Sequence, residues 1–312
     1  MRIAASFVII TATLVSDTTR AAQDVLISSR FSNNVLRYDA LSGEFRGVFA
    51  AGPELANPNG IAYGPDGHLY VGLGDGDAVL RYDGQSGAFI DTFTVPGAGG
   101  LSSVRDIVWG PDGDLYVASA LNDSVLRFDG ASGAFVGVAA QSAEMDGPVG
   151  LAFSPAGELY VGAALSNRIF VFADGVFERA FDAGTAHRNA TGLAFNDAGE
   201  LLAAQSVTNE LLAFDGEAGS FDRVFAAGNV NIPIYMERAP TGELLVGSFG
   251  NDSVVRFNAT TGEFLGTLIA SGSGGLDGTH DIAFMPVPEP ATGLLLAVLC
   301  LATARGRPSA HR

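Results

Sequence analysis

The sequence predicts an all-β fold, a six-bladed β-propeller with four-stranded blades, and three observations lead to this prediction. The 312 residues include 41 glycines but only 16% charged residues. This composition disfavours long helices, because glycine inside a helix costs roughly 1 kcal/mol relative to alanine. One unit recurs with steps of 42 to 46 residues. A lone strand follows the last complete unit and supplies what the first unit lacks.

Each unit contains four short strands, which we name A to D in chain order. The strand A motif, of the form NGIAY, begins at Asn59, Arg105, Val149, Thr191 and Ile234. A Pro-Asp-Gly turn leads into strand B in two units, because Pro presets φ, Asp bonds its own backbone and Gly accepts a positive φ. Strand C has the form VLRYD, and a Ser-Gly turn leads into strand D, where a Gly-x-Phe motif recurs six times. Four strands repeated at this spacing are typical of a propeller blade.

The two ends of the repeat array predict a closed ring. The first unit has a strand B at Asp24–Ser29 with no strand A before it, whereas the last strand A, at Thr279–Pro286, has no unit after it. We therefore expect the final strand to complete the first blade. A closed ring has no open seam at which another chain could pair.

The repeats resemble NHL repeats and, more loosely, the gluconolactonase/SMP-30-like propellers. The stretch NGIAYGPDGHLYVGLGDGDAVLRYD from Asn59 carries this resemblance, which extends over residues 24–286. It implies the fold more than a function, because such folds host lyases, hydrolases and binding modules. The SMP-30-like enzymes hold a divalent metal in the channel with one Glu and several Asn or Asp. Asn59, Asp106 and Asp281 stand at comparable strand starts here, and no Glu joins them.

Both chain ends predict export. Residues 1–22 are predicted to be a secretory signal peptide, because Arg2 precedes an apolar run over 3–15 and small residues follow at Ala21 and Ala22. We accordingly divide the chain into this segment, a propeller over residues 23–286 and a terminal segment over 287–312.

The terminal segment has three parts in a fixed order. Pro288, Glu289 and Pro290 precede an apolar run over 291–304, and arginines follow it. This order resembles the PEP-CTERM sorting signal of exopolysaccharide-producing Gram-negative bacteria. The resemblance implies transient anchoring in the inner membrane, cleavage by an exosortase, and a final location at the outer surface or in the extracellular matrix.

Composition limits the possible chemistry. The formal net charge of −17 repels phosphates, so we expect no nucleic-acid partner. The one cysteine, Cys300, lies in the apolar terminal run, so the propeller is expected to have no disulfide. The chain contains no Gly-x-Ser-x-Gly, no His-Glu-x-x-His and no phosphate-binding loop.

Residues just before strand A are expected to surround the upper mouth of the channel, on the face that collects the B–C and D–A loops. The polar candidates for ligand binding there are Asn59, Arg105, Asp106, His280 and Asp281. Arg105 would pair with a carboxylate or sugar acid, while the aspartates and His280 would bind a cation or transfer a proton. Alternatively, the two aspartates bond backbone amides at the top of strand A. The Asn and Asp residues of the B–C loops also suit Ca²⁺, although any turn uses the same residues.

The sequence leaves three functions open and does not decide whether the protein is an enzyme. The first is an exported binding or scaffold module for glycans, cations or surface proteins. The alternative is a divalent-metal-dependent lactonase or lyase that works at the channel mouth. A third is a structural surface protein without a specific ligand.

Overall fold

The computed structural model describes residues 23–184 and 189–287, which form six four-stranded antiparallel sheets. The predicted signal peptide and the predicted sorting segment with Pro288, Glu289 and Pro290 lie outside the described residues. Within the described ranges, no helix has the length and apolar character needed to cross a membrane.

The strands follow one another in the predicted order. Blade 1 consists of β24 (Thr279–Phe284), β1 (Asp24–Ser29), β2 (Asn34–Asp39) and β3 (Phe45–Ala51). Blade 2 consists of β4 (Pro58–Tyr63), β5 (Leu69–Leu73), β6 (Val79–Tyr82) and β7 (Phe89–Thr92). Blade 3 consists of β8 (Val104–Trp109), β9 (Leu115–Ser119), β10 (Ser124–Phe128) and β11 (Phe135–Gln141).

The second half of the ring repeats this plan. Blade 4 consists of β12 (Pro148–Phe153), β13 (Leu159–Ala163), β14 (Arg168–Ala173) and β15 (Val176–Asp182). Blade 5 consists of β16 (Ala190–Phe195), β17 (Leu201–Gln205), β18 (Glu210–Phe214) and β19 (Phe221–Ala227). Blade 6 consists of β20 (Pro233–Arg238), β21 (Glu243–Ser248), β22 (Ser253–Asn258) and β23 (Phe264–Ile269). Short 3₁₀ turns occupy Ala98–Gly100, Ala120–Asn122, Phe249–Asn251 and Ser273–Gly275.

The ring closes as predicted, through the pairing of the last strand with the first. In blade 1, β24 lies antiparallel to β1, with Val25 opposite Phe284 and Ile27 opposite Ile282. The closure extends past the strands, since the Met285 amide donates to the carbonyl of Asp24 at 2.9 Å. The prediction of an all-β, six-bladed propeller is therefore confirmed.

The repeated motifs of strands C and D hold each blade together. In blade 2, Tyr82 meets Phe89 of the Gly-x-Phe motif edge-to-face, with ring centroids 5.6 Å apart. The equivalent pairs of the other five blades have centroids 5.5 to 5.9 Å apart. Asp83, which follows strand C, accepts a hydrogen bond from the Ser86 amide at 2.8 Å and so shapes the Ser-Gly turn. The strand C and D motifs therefore serve blade packing, whereas the polar candidate residues lie in the A strands around the channel.

Candidate functional site

Six A strands line the channel. The size of the residue at the third position of each strand decides how wide the channel is. Asp281, Asp106 and Tyr235 occupy this position in blades 1, 3 and 6, whereas the other three blades have glycine. The glycines permit close backbone approach. A Cβ atom on Gly150 would lie 1.8 Å from the Thr191 carbonyl oxygen of the next blade.

A β-bulge at the second and third positions of strand A separates side chains that are adjacent in sequence. In blade 3, Val104 pairs with Ser119 and Ile107 pairs with Val117, so three steps on strand A match two on strand B. The same shift occurs in the A–B pairs of all six blades. A bulge re-aims the side chains it contains. All five candidate residues from the sequence lie at these bulge positions.

Tyr235 spans the channel and divides it. Its side chain is only 4% exposed, and its hydroxyl lies 2.9 Å from the Arg105 carbonyl of blade 3 and 3.0 Å from the Val149 carbonyl of blade 4. The ring packs on His280 with centroids 4.9 Å apart. Burial raises the pKa of Tyr235 far above its ordinary value, so this hydroxyl stays a neutral donor. The channel consequently has an upper funnel and a lower cavity.

Asp106 and Asp281 each join two blades below this partition. Asp106 accepts hydrogen bonds from the amides of Ile107 at 2.8 Å and Leu151 at 2.7 Å. Asp281 likewise accepts from Ile282 and, in the next blade, Ile61, both at 2.7 Å. All four carboxylate oxygens therefore bond backbone amides, which is the alternative that the sequence left open for these two residues.

The lower cavity, of about 340 Å³, contains a third carboxyl group that sequence reasoning missed. Glu237 lies in β20 and lines this cavity together with Asp106 and Asp281. Glu237 is exposed to solvent at this wall, whereas Asp281 is buried, and burial raises the pKa of Asp281 to about 7. Within the described ranges, no three His, Cys, Asp or Glu residues are arranged to hold a metal ion.

The raised pKa of Asp281 predicts a pH-dependent contribution to stability. The folded pKa of about 7 lies above the ordinary value of 3.8. The folded state therefore binds this proton more tightly than the unfolded state, and protonation of Asp281 stabilises the fold. We therefore expect the melting temperature of the wild type, relative to Asp281→Asn, to fall as the pH rises from about 4 to 8. Thermal melts of both proteins across this range measure the difference.

Asp129→Asn is the matched control for this experiment. The Asp129 carboxylate accepts hydrogen bonds from Ser132, which lower its pKa, so it stays charged as the pH rises from about 5 to 8. The difference in melting temperature between this variant and the wild type should stay constant with pH. A constant difference for Asp281→Asn as well would contradict the prediction.

Asn59 joins neighbouring blades and lines neither compartment. Its side chain is fully buried, and its amide donates to the Val104 carbonyl at 2.6 Å. Its own backbone carbonyl accepts from the hydroxyl of Ser28 at 2.7 Å. Asn59 therefore links blade 2 to the blades on both sides.

The upper funnel, of about 250 Å³, brings together Arg105, His280 and a third polar residue, Arg30. Arg30 follows β1 in the B–C loop of blade 1, where its Nε donates to Asn57 Oδ1 at 2.5 Å. His280 is 2% exposed and its Nδ1 has no hydrogen-bond partner. Burial and the charges of Arg30 and Arg105 lower the pKa of His280, so its ring is neutral at physiological pH.

The five candidate residues thus separate into three places. Arg105 and His280 line the upper funnel, Asp106 and Asp281 line the lower cavity, and Asn59 lies between blades. The sequence places them just before strand A, but the structure has them inside it, because the strands begin at Pro58, Val104 and Thr279. The sequence did carry one signal for Glu237, since the equivalent position in the other blades is Ala or Val.

Comparison with known proteins supports the fold. No family model and no curated protein matches the chain. A solved structure of a protein from Bacteroides caccae matches with a TM-score of 0.68 and 14% identity, covering 86% of this chain and all of that one. A chain of a nidogen/laminin complex matches with a TM-score of 0.69 and 14% identity, covering 85% of this chain and 98% of that one.

A lyase is also among the similar structures. A catalytically inactive virginiamycin B lyase from Staphylococcus aureus, solved with quinupristin, matches with a TM-score of 0.60 and 14% identity. The match covers 78% of this chain and 84% of the lyase. The chain therefore shares its propeller fold with these solved structures, and at 14% identity the likeness shows the fold alone.

Proposed function

We propose that this chain is an exported binding module whose upper face holds a ligand or partner at the cell surface or in the extracellular matrix. The sequence of both ends supports the export part, including retention through a PEP-CTERM-like signal and release by an exosortase. Glycans and surface proteins are the partner classes that this location favours.

The observation that carries the proposal is an apolar rim on the upper face. Four side chains form this rim at one loop position, directly after the first B–C loop residue of their blades: Phe31, Leu121, Leu165 and Val207 are 57%, 75%, 72% and 58% exposed. Leu121 and Leu165 also line the funnel. Apolar side chains grouped on one exposed face mark interaction sites, and loops on a rigid scaffold are where binding residues concentrate.

The geometry favours binding over a metal-dependent lactonase or lyase. That alternative requires oxygen ligands that converge at the channel mouth. The mouth instead carries Arg105 and His280, while Asp106 and Asp281 lie below Tyr235 with their oxygens bonded to amides.

The test compares surface retention in cells that express the gene naturally. We expect Leu121→Ser/Leu165→Ser to be exported like the wild type but to collect in the medium, because the rim no longer holds its partner. Fractionation and immunoblotting of cells, washed surface material and medium measure this distribution.

Val48→Ser/Val176→Ser is the control, since both valines are exposed, at 55% and 60%, on outer strands away from the rim. This variant should be retained like the wild type. Wild-type protein confined to the cytoplasm would contradict export, and equal retention of the rim variant would contradict the role of the upper face.

A further inference from the structure

We propose that the upper funnel binds a small-molecule carboxylate with a compact apolar body, and that Arg30 and Arg105 hold the carboxylate. This inference rests on the proposed binding role of the upper face and names the class of small molecule that the funnel takes, beside the larger partner that the rim holds. Three independent features of the funnel lead to it.

The first feature is the absence of charge partners for two arginines. Among residues 23–184 and 189–287, Arg30 and Arg105 form no ion pair, whereas the other nine arginines each pair with Asp or Glu. Burial and the charge of Arg105 lower the pKa of Arg30, so the two cations disfavour one another. In a chain with a net charge of −17, this funnel is a local positive site.

The nearby acidic group whose charge acts on Arg30 is Asp75, and its carboxylate is already hydrogen-bonded. Asp75 accepts a hydrogen bond from Asn57 Nδ2 at 2.8 Å, and Asn57 Oδ1 in turn accepts from Arg30. Asn57 thus stands between the aspartate and the arginine. This chain of bonds holds Arg30 in place and leaves its terminal nitrogens for a ligand, and a carboxylate can accept from such a guanidinium through both oxygens.

The second feature is the unpartnered imidazole that lines the funnel. His280 is buried, its Nδ1 has no partner, and its ring rests on the Tyr235 side chain that closes the channel. Buried polar atoms in native proteins are nearly always hydrogen-bonded, so each exception needs an explanation. A neutral ring carries one N–H, which can donate to a carboxylate bound in the funnel.

The third feature is the apolar character of the remaining wall. Val149 and Ile234 line the funnel, and Leu121 and Leu165 continue this lining into the rim. These side chains give a sugar hydroxyl no hydrogen-bond partner. The Thr191 hydroxyl in the same wall already bonds the Ala204 and Pro233 carbonyls, so an apolar ligand body suits the funnel. The volume of about 250 Å³ is just below the usual range for ligand pockets, roughly 300 to 1,000 Å³. A compact acid therefore suits it better than a polymer.

Isothermal titration of the purified protein with octanoate and 3-phenylpropionate tests the proposal. We expect both acids to bind, and octanamide, which has the same chain without the charge, to bind about tenfold more weakly or worse. Arg105→Met and Arg30→Met should each weaken octanoate binding about tenfold or more, because each removes a charged donor. Arg127→Met, which removes an arginine that pairs with Asp114 on the outer part of blade 3, should bind like the wild type.

Melting curves of each variant show whether it is folded before its binding is compared. Absence of binding by both acids to the folded wild type overturns the proposal, as does equal binding of octanamide or insensitivity to both arginine variants. A peptide with a free C-terminal leucine that binds where the small acids do not also overturns it, and its amidated form serves as the control. If the rim variant loses surface retention while the acids fail to bind, only the ligand class is wrong and the proposed function stands.

Discussion

Gly150→Ala should lower the free energy of unfolding by about 3 kcal/mol or more, the upper end of what overpacking usually costs. The added Cβ would lie 1.8 Å from the Thr191 carbonyl oxygen and 2.9 Å from its carbon, and both are backbone atoms of the next A strand. No side-chain rotation relieves such a contact, so two blades must separate. Chemical denaturation followed by fluorescence or circular dichroism measures the loss.

Gly137→Ala is the matched control on an outer strand. A Cβ at Gly137 meets no atom within 4 Å, so the substitution should leave stability almost unchanged. The pair compares the same chemical change at the centre and at the edge of the ring. Similar stability for the two variants would contradict the account of the channel as closely packed backbone.

Truncation after Gly278 should abolish cooperative folding. It removes β24, which pairs with β1 and whose Asp281 bonds the Ile61 amide of blade 2. It also removes Ile282, a core residue that is 2% exposed. The loss of a central strand is expected to exceed the total stability of a typical domain, about 5–15 kcal/mol. A thermal melt followed by near-ultraviolet circular dichroism should show no transition.

Truncation after Val287 is the control for this experiment. It removes the predicted sorting segment but keeps every strand of the ring. This protein should melt cooperatively at the temperature of the full chain. A cooperative melt of the shorter protein, truncated after Gly278, would show that the ring does not depend on its closing strand.

The sequence predicted the fold in detail because each signal acts locally. Pro-Asp-Gly and Ser-Gly turns set strand ends within a few residues, and their repetition revealed the blade count. The unmatched strand at Thr279–Phe284 then implied closure, since an open ring would leave β1 with a free edge. The Tyr82–Phe89 contact and its five counterparts show that the repeated motifs encode blade packing.

The candidate site was only partly predictable from the sequence, because the channel brings together residues that are distant in the chain. The sequence marks Arg105 and Asp106 as neighbours, yet a bulge directs one to the funnel and the other to the lower cavity. Arg30 lies 75 residues from Arg105 in the chain, and only the ring brings their charges together. The position of Tyr235 depends on carbonyl groups of blades 3 and 4, which no local pattern contains.

Sequence alone therefore determined the number of blades, the order of the strands and the closure of the ring, because turn chemistry and alternating apolar residues act over short distances. Tertiary structure alone decided that the channel is partitioned, that Asp106 and Asp281 bond amides, and that two unpaired arginines share a funnel with an apolar rim. These features depend on how six strands approach one axis, and that approach is set by backbone packing between blades that are distant in sequence.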